Sequence, residues 1–529
     1  MKNMNSSWFV DRSLVKSVLW LAVPAAVIAV SGLISSEQVQ AQSAKSASKQ
    51  PNIIFILNDD LGWGDVGYHG SEVKTPTLDQ LAKRGVELNR YYTFAVCSPT
   101  RAALMTGRSS LETGVDAPIA KQETLPMEAT LLPQHLKQLG YQTVMIGKWH
   151  LGEGREEYAP HKRGFDYFYG FLGGFIDHYT HLTSGGQLDW QRNGKSVREE
   201  GYSTDLFTDD AIKQIKSRDK SKPLFMYLAY DAPHAPLQAP ESVVKSYAHI
   251  SNPVRRTFAA MVDHNDAQIA RVLAAVEAEG MANDTLIIWA SDNGPPLPGG
   301  ATAGGLRGDK ASSFEGGQRV PAIAYWPGHL TGGKKLESVV SVMDWFPTLI
   351  KAAGGNVPND KRLVGRDVMS VLAGAPQAAG VSMVLGNRVV NGAPGYYESA
   401  YQWPWKVLRA PTALVGAATT PALGADGKTV MLFDVVADPS ETTDQAAKQP
   451  EKVKQLLLNL DAAPRAPRSL AEEGMAAGGM AAEPAGMAAA PPPGMSAGDV
   501  LAGSGVLQGY TVEKGEPLAE VAARASTAK

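Results

Sequence analysis

Apolar residues along this chain fall into short unbroken runs closed by polar residues. Residues 53–57 form the first run, rich in β-branched side chains, and end in Asn58-Asp59-Asp60. A short continuous run of this kind predicts a strand buried on both faces, as in a parallel sheet. The design returns at 143–146. It returns at 224–229, which leads into Asp231-Ala232-Pro233-His234, and at 285–290, which leads into Ser291-Asp292-Asn293-Gly294. Between these runs the spacing becomes helical. Residues 77–85 put Leu78, Leu81 and Ala82 on one face and close on Gly85. Ser98-Pro99-Thr100-Arg101 opens a second helix, with proline suited to its first turn. Residues 131–139, followed by Gly140, read as an amphipathic helix, and a long helix runs from about 253 to 279.

Buried strands alternating with helices predict an α/β fold on a mostly parallel sheet. Ligands of such sheets gather at the carboxyl ends of the strands. Three of the runs end in polar residues there: Asp59-Asp60, His234 and Asp292-Asn293. From residue 380 the pattern changes. Short strands at 405–409 and 430–436, breakers at Pro404, Gly424 and Gly427, and a helix at 450–460 predict a small α+β subdomain over 380–463. Residues 464–529 set Met475, Met480, Met487 and Met495 among Ala, Gly and Pro, too few large apolar groups to order a segment, so a disordered tail is expected.

Length and composition add bounds. The chain has 529 residues, 44% hydrophobic and 19% charged, enough for a large core and two to three domains. A net charge of −3 and scattered basic residues argue against a nucleic acid or an anionic membrane as partner. At the N-terminus, Lys2, Arg12 and Lys16 accompany an apolar stretch at 18–34, and Val39-Gln40-Ala41 offers small residues for cleavage. This reads as an export signal over 1–41 and a polar linker over 42–50, leaving a catalytic domain at 51–379. The expected location is the bacterial periplasm or the medium, with no stable membrane association once the signal is removed. The chain holds one cysteine, so it has no internal disulfide framework. A solitary cysteine is by itself most simply a buried, inert side chain. The neighbours of Cys97 change that reading.

Cys97-Ser98-Pro99-Thr100-Arg101 continues through Ala102-Ala103-Leu104-Met105 to Thr106-Gly107-Arg108. Cys-x-Pro-x-Arg followed by a helix and Thr-Gly-Arg resembles the modification signature of the sulfatase family. The resemblance implies that a formylglycine-generating maturation enzyme oxidises Cys97 to formylglycine (3-oxoalanine). The hydrated aldehyde has two hydroxyls on one carbon. One attacks the sulfate sulfur and expels the alcohol; the other, once deprotonated, collapses to the aldehyde and releases sulfate, splitting one hard step into two easier ones. A helix N-terminus at this point also favours a bound anion.

Asp59 and Asp60, with Asp292 and Asn293, form a second constellation. Adjacent carboxylates at a strand end need a cation, and an all-oxygen set suits Ca²⁺ or Mg²⁺ better than zinc. Residues 58–65 and 291–294 also resemble the family's metal segments. The resemblance implies one Ca²⁺ on Asp59, Asp60, Asp292 and Asn293, with an oxygen of modified Cys97 as a further ligand. Asp65 reads instead as a cap or turn residue. The basic residues come next: Lys148 and His150 within 147–152, His234 within 232–236, and Lys310 within 308–317. The resemblance implies that Lys148 binds sulfate and His150 deprotonates the hydrate. It gives His234 and Lys310 contacts to the bridging oxygen, one of them as general acid, while Arg101 holds the hydrate. A sulfate and its leaving group do need cations and a proton donor.

The resemblance covers about residues 50–460 and implies an alkaline-phosphatase-like sheet sandwiched by helices. Segments 202–205, 222–229 and 236–240 look most like the arylsulfatase B type, which acts on N-acetylgalactosamine 4-sulfate. Pro295-Pro296 departs from the family pattern where a second glycine is common, so sugar specificity is not carried over. A sulfated carbohydrate or an aryl sulfate is the implied substrate. Two other classes are distinguishable. A phosphatase or phosphodiesterase on the same fold would use Ser or Thr as nucleophile and carry extra His and Asp for a two-zinc site. A non-catalytic glycan-binding relative would show eroded site residues. Three features remain open between roles. His178, Tyr179, His181 and Trp190 could line a sugar-binding mouth or be ordinary packing. Arg307 and Glu315 flank Lys310 as substrate contacts or as a structural ion pair, and His161 reads as a surface residue.

Overall fold

The computed structural model describes residues 50–119, 123–388, 396–410, 422–423 and 429–466. The expected signal, its cleavage point, the linker up to residue 49 and the tail from 467 lie outside the described residues. Among the described residues no helix is long and apolar enough to cross a membrane.

Eleven strands build the main sheet. In chain order they are β1 Asn52–Asn58, β2 Val86–Tyr92, β3 Gln142–Lys148, β4 Tyr167–Phe171, β5 Gln191–Arg192, β6 Lys195–Ser196, β7 Leu224–Ala229, β8 Thr285–Ser291, β9 Arg319–Val320, β10 Ala322–Tyr325 and β11 Lys334–Ser341. Across the sheet they run β11-β2-β10-β8-β1-β7-β3-β4-β5-β6, with β9 paired to β2. The centre, β8-β1-β7-β3-β4, is wholly parallel. β1 lies in the middle, with Ile56 opposite Leu228 on one side and Trp289 on the other. Antiparallel β10 joins β8 to β2.

Period-two alternation explains why the central strands are apolar throughout. Ile53, Phe55 and Leu57 enter one core, while Ile54 and Ile56 enter the other. The first core takes Ala102 to Met105 of the Cys97–Thr106 helix, Leu132 and Leu136 of the Leu132–Gln138 helix, and Leu349 of the Trp345–Ala352 helix. The second takes Leu78 and Leu81 of the Pro76–Arg84 helix, Phe207 of the Ser203–Ser217 helix and Val272 of the Pro253–Ala278 helix. Each fully buried aliphatic or aromatic side chain contributes about 1.5–3 kcal/mol, so both sheet faces need a helical layer. The result is the mixed, mostly parallel sheet between helices that the sequence predicts.

A second sheet follows: β12 Ser382–Arg388, β13 Tyr396–Gln402, β14 Trp405–Ala410, β15 Ala422–Leu423 and β16 Thr429–Asp434. It is antiparallel, in the order β12-β13-β14-β16-β15. Val407 and Leu432 on one face meet Leu456 and Leu460 of the Pro450–Asp461 helix. Leu408, Met431 and Phe433 on the other face meet Phe314, which follows Lys310 in the main domain. The small subdomain thus backs a loop of the large one.

Candidate active site

The polar strand ends converge at one edge of the central sheet. The Asp292 amide donates to the Asn58 carbonyl at 3.0 Å, and the Asp60 amide donates to Asp292 Oδ1 at 3.2 Å. Asn58 is itself held by Asn265 at 2.7 Å and by Trp289 Nε1 at 2.9 Å. Asp60 (φ 68°) and His150 (φ 54°) adopt left-handed backbone conformations. Non-glycine residues hold such geometry only where the surroundings impose it, and often at functional sites.

Cys97 is the first residue of its helix, one position earlier than the sequence suggests, with Val96 as the cap. Burial pushes its thiol pKa up, against the pull of Lys148 and Lys310. A buried, protonated thiol is a poor nucleophile. One turn on, Arg101 is fully buried. Its Nη2 donates to Asp292 at 2.9 Å and lies 3.4 Å from Asp59 Oδ2, and its Nη1 donates to the Lys148 carbonyl at 3.0 Å. Lys148 ends β3 and donates to Asp59 Oδ2. Lys310 Nζ lies 2.7 Å from Asp60 Oδ1 and 2.9 Å from Oδ2, and His234 Nε2 lies 3.5 Å from Asp60 Oδ2. The Lys310 amide is held by the Pro295 carbonyl at 2.9 Å, so the unusual proline pair helps carry this lysine.

Burial and neighbouring charges set the ionisation. Burial opposes ionisation of Asp59, yet Lys148, His234 and Arg101 outweigh it and hold the carboxyl well below its usual range. Asp60 is likewise lowered, by Lys310 and His234. Asp292 is pushed up to about 7 by burial and by the Asp59 carboxylate. His150 falls well below its ordinary value through burial and the adjoining Lys148 and Arg101 cations. Burial takes His234 down to about 4, although Asp60 opposes the shift. Burial also disfavours the Lys310 ammonium, but Asp60 reverses this and holds it well above its ordinary value. Burial thus disfavours the imidazolium form of both His150 and His234, while Asp60 favours it at His234.

The donor set fits a hard cation. Ligand atoms of Asp59, Cys97 and Asp292 lie within 4.8 Å of one another, as do those of Asp59, Asp60 and His234. Asn293 Nδ2 donates to Asp60 Oδ1 at 2.7 Å, while Asn293 Oδ1 and Asp59 Oδ1 are buried with no donor. Each such oxygen costs about 1–3 kcal/mol unless something satisfies it. A cation among acidic oxygens would do so. Asp65 stands apart as a turn residue: its Oδ2 accepts from Gly62 at 3.1 Å and Thr302 at 2.9 Å, and Arg255 pairs with its Oδ1.

All ten sequence-selected residues converge here. Other contacts were not legible in the sequence. Ser98 Oγ donates to the His150 carbonyl at 2.9 Å, tying the cysteine helix to the segment just after β3. A Cβ on Gly174 would stand 2.9 Å from His150 Nε2, so any larger residue there would push on that ring. The Phe175 ring stacks on His234 at 5.8 Å. Several of the open features have defined neighbours in the fold. His181 stacks on Trp190 at 4.1 Å, and Trp190 on Phe207 at 4.9 Å, which is core packing. Arg307 donates to the Glu441 carbonyl and covers Phe314, whereas Glu315 pairs with Lys406, so these two residues do not form a pair with each other. His161 lies 3.8 Å from Glu156 in a separate turn.

Known proteins bear on this arrangement. The Sulfatase family model matches residues 51–355. Arylsulfatase J of Mus musculus is 36% identical over 457 residues, covering 79% of this chain and 76% of that protein. N-acetylgalactosamine-6-sulfatase of Homo sapiens is 31% identical over 435 residues, covering 75% and 82%. Among solved structures, Ps i-CgsB in complex with k-i-k-neocarrahexaose superposes with a TM-score of 0.72 at 30% identity, covering 80% of this chain and 96% of that one. A cysteine at a helix start, ringed by acidic strand ends and buried cations, thus sits in a chain that belongs to the sulfatase family and is a sulfuric ester hydrolase.

Proposed function

We propose that this hydrolase is exported and removes sulfate from carbohydrates, accepting aryl sulfates as well. In this reading Cys97 is converted to formylglycine by a maturation enzyme, and one Ca²⁺ is held by Asp59, Asp60, Asp292 and Asn293. The observation that carries it is the placement of Cys97. Its thiol is raised by burial, and it shares a 4.8 Å cluster with Asp59 and Asp292. Residue 97 as formylglycine would supply a hydrated aldehyde as nucleophile, and calcium would supply positive charge against the sulfate oxygens.

The chain's own groups do the rest. Arg101 is locked by Asp292 and the Lys148 carbonyl, which leaves its buried Nε without a partner in the described structure and free to hold residue 97. Lys148 is fixed against Asp59 and binds the sulfate. His150, neutral because it is buried among cations, accepts the proton of the hydrate. His234 and Lys310, both against Asp60, face the bridging oxygen, and one protonates the departing alcohol. Support for a sugar substrate comes from relatives whose names specify N-acetylgalactosamine 6-sulfate and from the neocarrahexaose complex.

Matured enzyme should cleave para-nitrophenyl sulfate with kcat/KM at least about 100-fold above para-nitrophenyl phosphate. It should release sulfate from sulfated galactosamine or carrageenan-type oligosaccharides, and Cys97→Ala should do neither. A preference for the phosphate ester, or full activity in Cys97→Ala, contradicts the proposal.

A further inference from the structure

Three stretches of sequence, 177–181, 202–205 and 231–240, meet behind His234. His178 is buried, with Nδ1 2.9 Å from Ser203 Oγ and 3.1 Å from Asp231 Oδ2. Ser203 Oγ donates to the same Asp231 oxygen at 2.8 Å. His178 Nε2 lies 3.1 Å from the main-chain carbonyl oxygen of His234. A carbonyl only accepts, so Nε2 carries a proton. Ser203 gives its proton to Asp231, so its oxygen accepts from Nδ1. Both ring nitrogens therefore donate, which makes His178 an imidazolium. Burial opposes that charge, but the Asp231 carboxylate outweighs it and raises His178 above its ordinary value.

The same stretches are laced together. The His178 amide donates to Gln238 Oε1 at 2.9 Å, Gln238 Nε2 donates to Asp177 at 2.7 Å, and Tyr202 Oη donates to the Gln238 carbonyl at 2.8 Å. The Ser203 amide donates to the His178 carbonyl at 2.8 Å, and the His234 amide donates to the Asp231 carbonyl at 2.9 Å. His234 is thus held at its amide by Asp231 and at its carbonyl by the imidazolium that Asp231 pairs with. The ring is fixed in turn by the Ala235 carbonyl, 2.6 Å from Nδ1, and by Phe175. A buried ion pair with a shared hydroxyl is weak evidence for stability, because desolvation offsets much of its attraction. It does define one geometry sharply, which is what a reacting group requires.

We propose that Asp231, Ser203 and His178 are positioning residues for His234: a buried carboxylate–hydroxyl–imidazolium relay that fixes the 231–236 turn and so aims His234 Nε2 at the leaving oxygen of the sulfate ester. The proposal rests on the reading that His234 faces that oxygen and donates to it from Nε2, which requires the imidazolium because the Nδ1 proton goes to the Ala235 carbonyl. Its signature is leaving-group dependence. A good leaving group departs without help, whereas a basic one needs its proton donor in place.

The test uses the full-length matured enzyme with aryl sulfates ranging from para-nitrophenyl to phenyl sulfate. Asp231→Asn and His178→Gln should lower kcat/KM for phenyl sulfate about 10- to 100-fold, and for para-nitrophenyl sulfate about threefold or less. The slope against phenol acidity steepens, as it does in His234→Gln. Ser203→Ala, which removes only the hydroxyl, should steepen it less and serves if the other variants fail to fold. Equal loss across the series, or none, overturns the relay while leaving His234 in place. An unchanged slope in His234→Gln overturns the reading of His234, and the relay with it.

Discussion

At the residue scale, position rather than residue type decides which groups are charged. Asp59, Asp60 and Asp292 are all buried at strand ends, yet the first two are held ionised by Lys148 and Lys310 while Asp292 is pushed up to about 7. The difference comes from burial and the partners: Asp292 feels the Asp59 carboxylate, and among the described residues Arg101 is its ion-pair partner. A cation prefers the ionised carboxylate, so below about pH 7 a calcium ion held as proposed would have to displace a proton from Asp292. Calcium affinity of the metal-stripped protein should therefore rise with pH between about 5 and 8, with proton uptake by buffer at the acidic end. Isothermal titration in buffers of different ionisation enthalpy reads this directly, and Asp292→Asn should abolish the proton release. A pH-independent affinity contradicts the assignment. The motif residues were legible because each carries its chemistry at a strand end or helix start. Gly174, Ser98 and the His178 relay were not, because their roles arise only from contacts made across the folded chain.

At the element scale, the central strands were readable because both their faces are buried and no alternation interrupts them. β2 was not. Val86–Tyr92 carries Glu87 and Arg90 at half-exposed positions and takes its place through pairing with β9, β10 and β11. β12 and β13 escaped notice because polar residues and a glycine interrupt them: Gly386, Asn387 and Arg388 in β12, Glu398 and Ser399 in β13. That sheet has a function for the site. Lys406 of β14 is fully buried and lies 3.2 Å from Glu315 and 2.8 Å from Glu441. Glu315 also accepts from Tyr92 at 2.7 Å and Tyr401 at 3.1 Å, and its amide donates to Glu441 at 2.6 Å. This cluster joins the small subdomain to the segment just after Lys310. Lys406→Met would leave two carboxylates buried without their cation, which costs about 3–5 kcal/mol. Urea unfolding of the full chain followed by tryptophan fluorescence should show that loss. A change below about 1 kcal/mol would show that the carboxylates find another partner.

At the scale of the whole molecule, one mostly parallel sheet gathers residues from across the chain: Asp59 just after β1, Cys97 and Arg101 from the helix that follows β2, Lys148 from β3, His234 after β7, Asp292 after β8, and Lys310 from a loop braced by the small subdomain. The gathering needs no long-range design beyond strand order, because every contributing strand of the parallel centre ends at the same edge. What the fold alone does not decide is the chemical state of residue 97, on which the proposed catalysis depends. Peptide mass spectrometry across Cys97, on protein taken from its native host, tests that claim most directly. Loss of the thiol and gain of an aldehyde at that residue are the expected result. An intact, unmodified cysteine in active enzyme would contradict it.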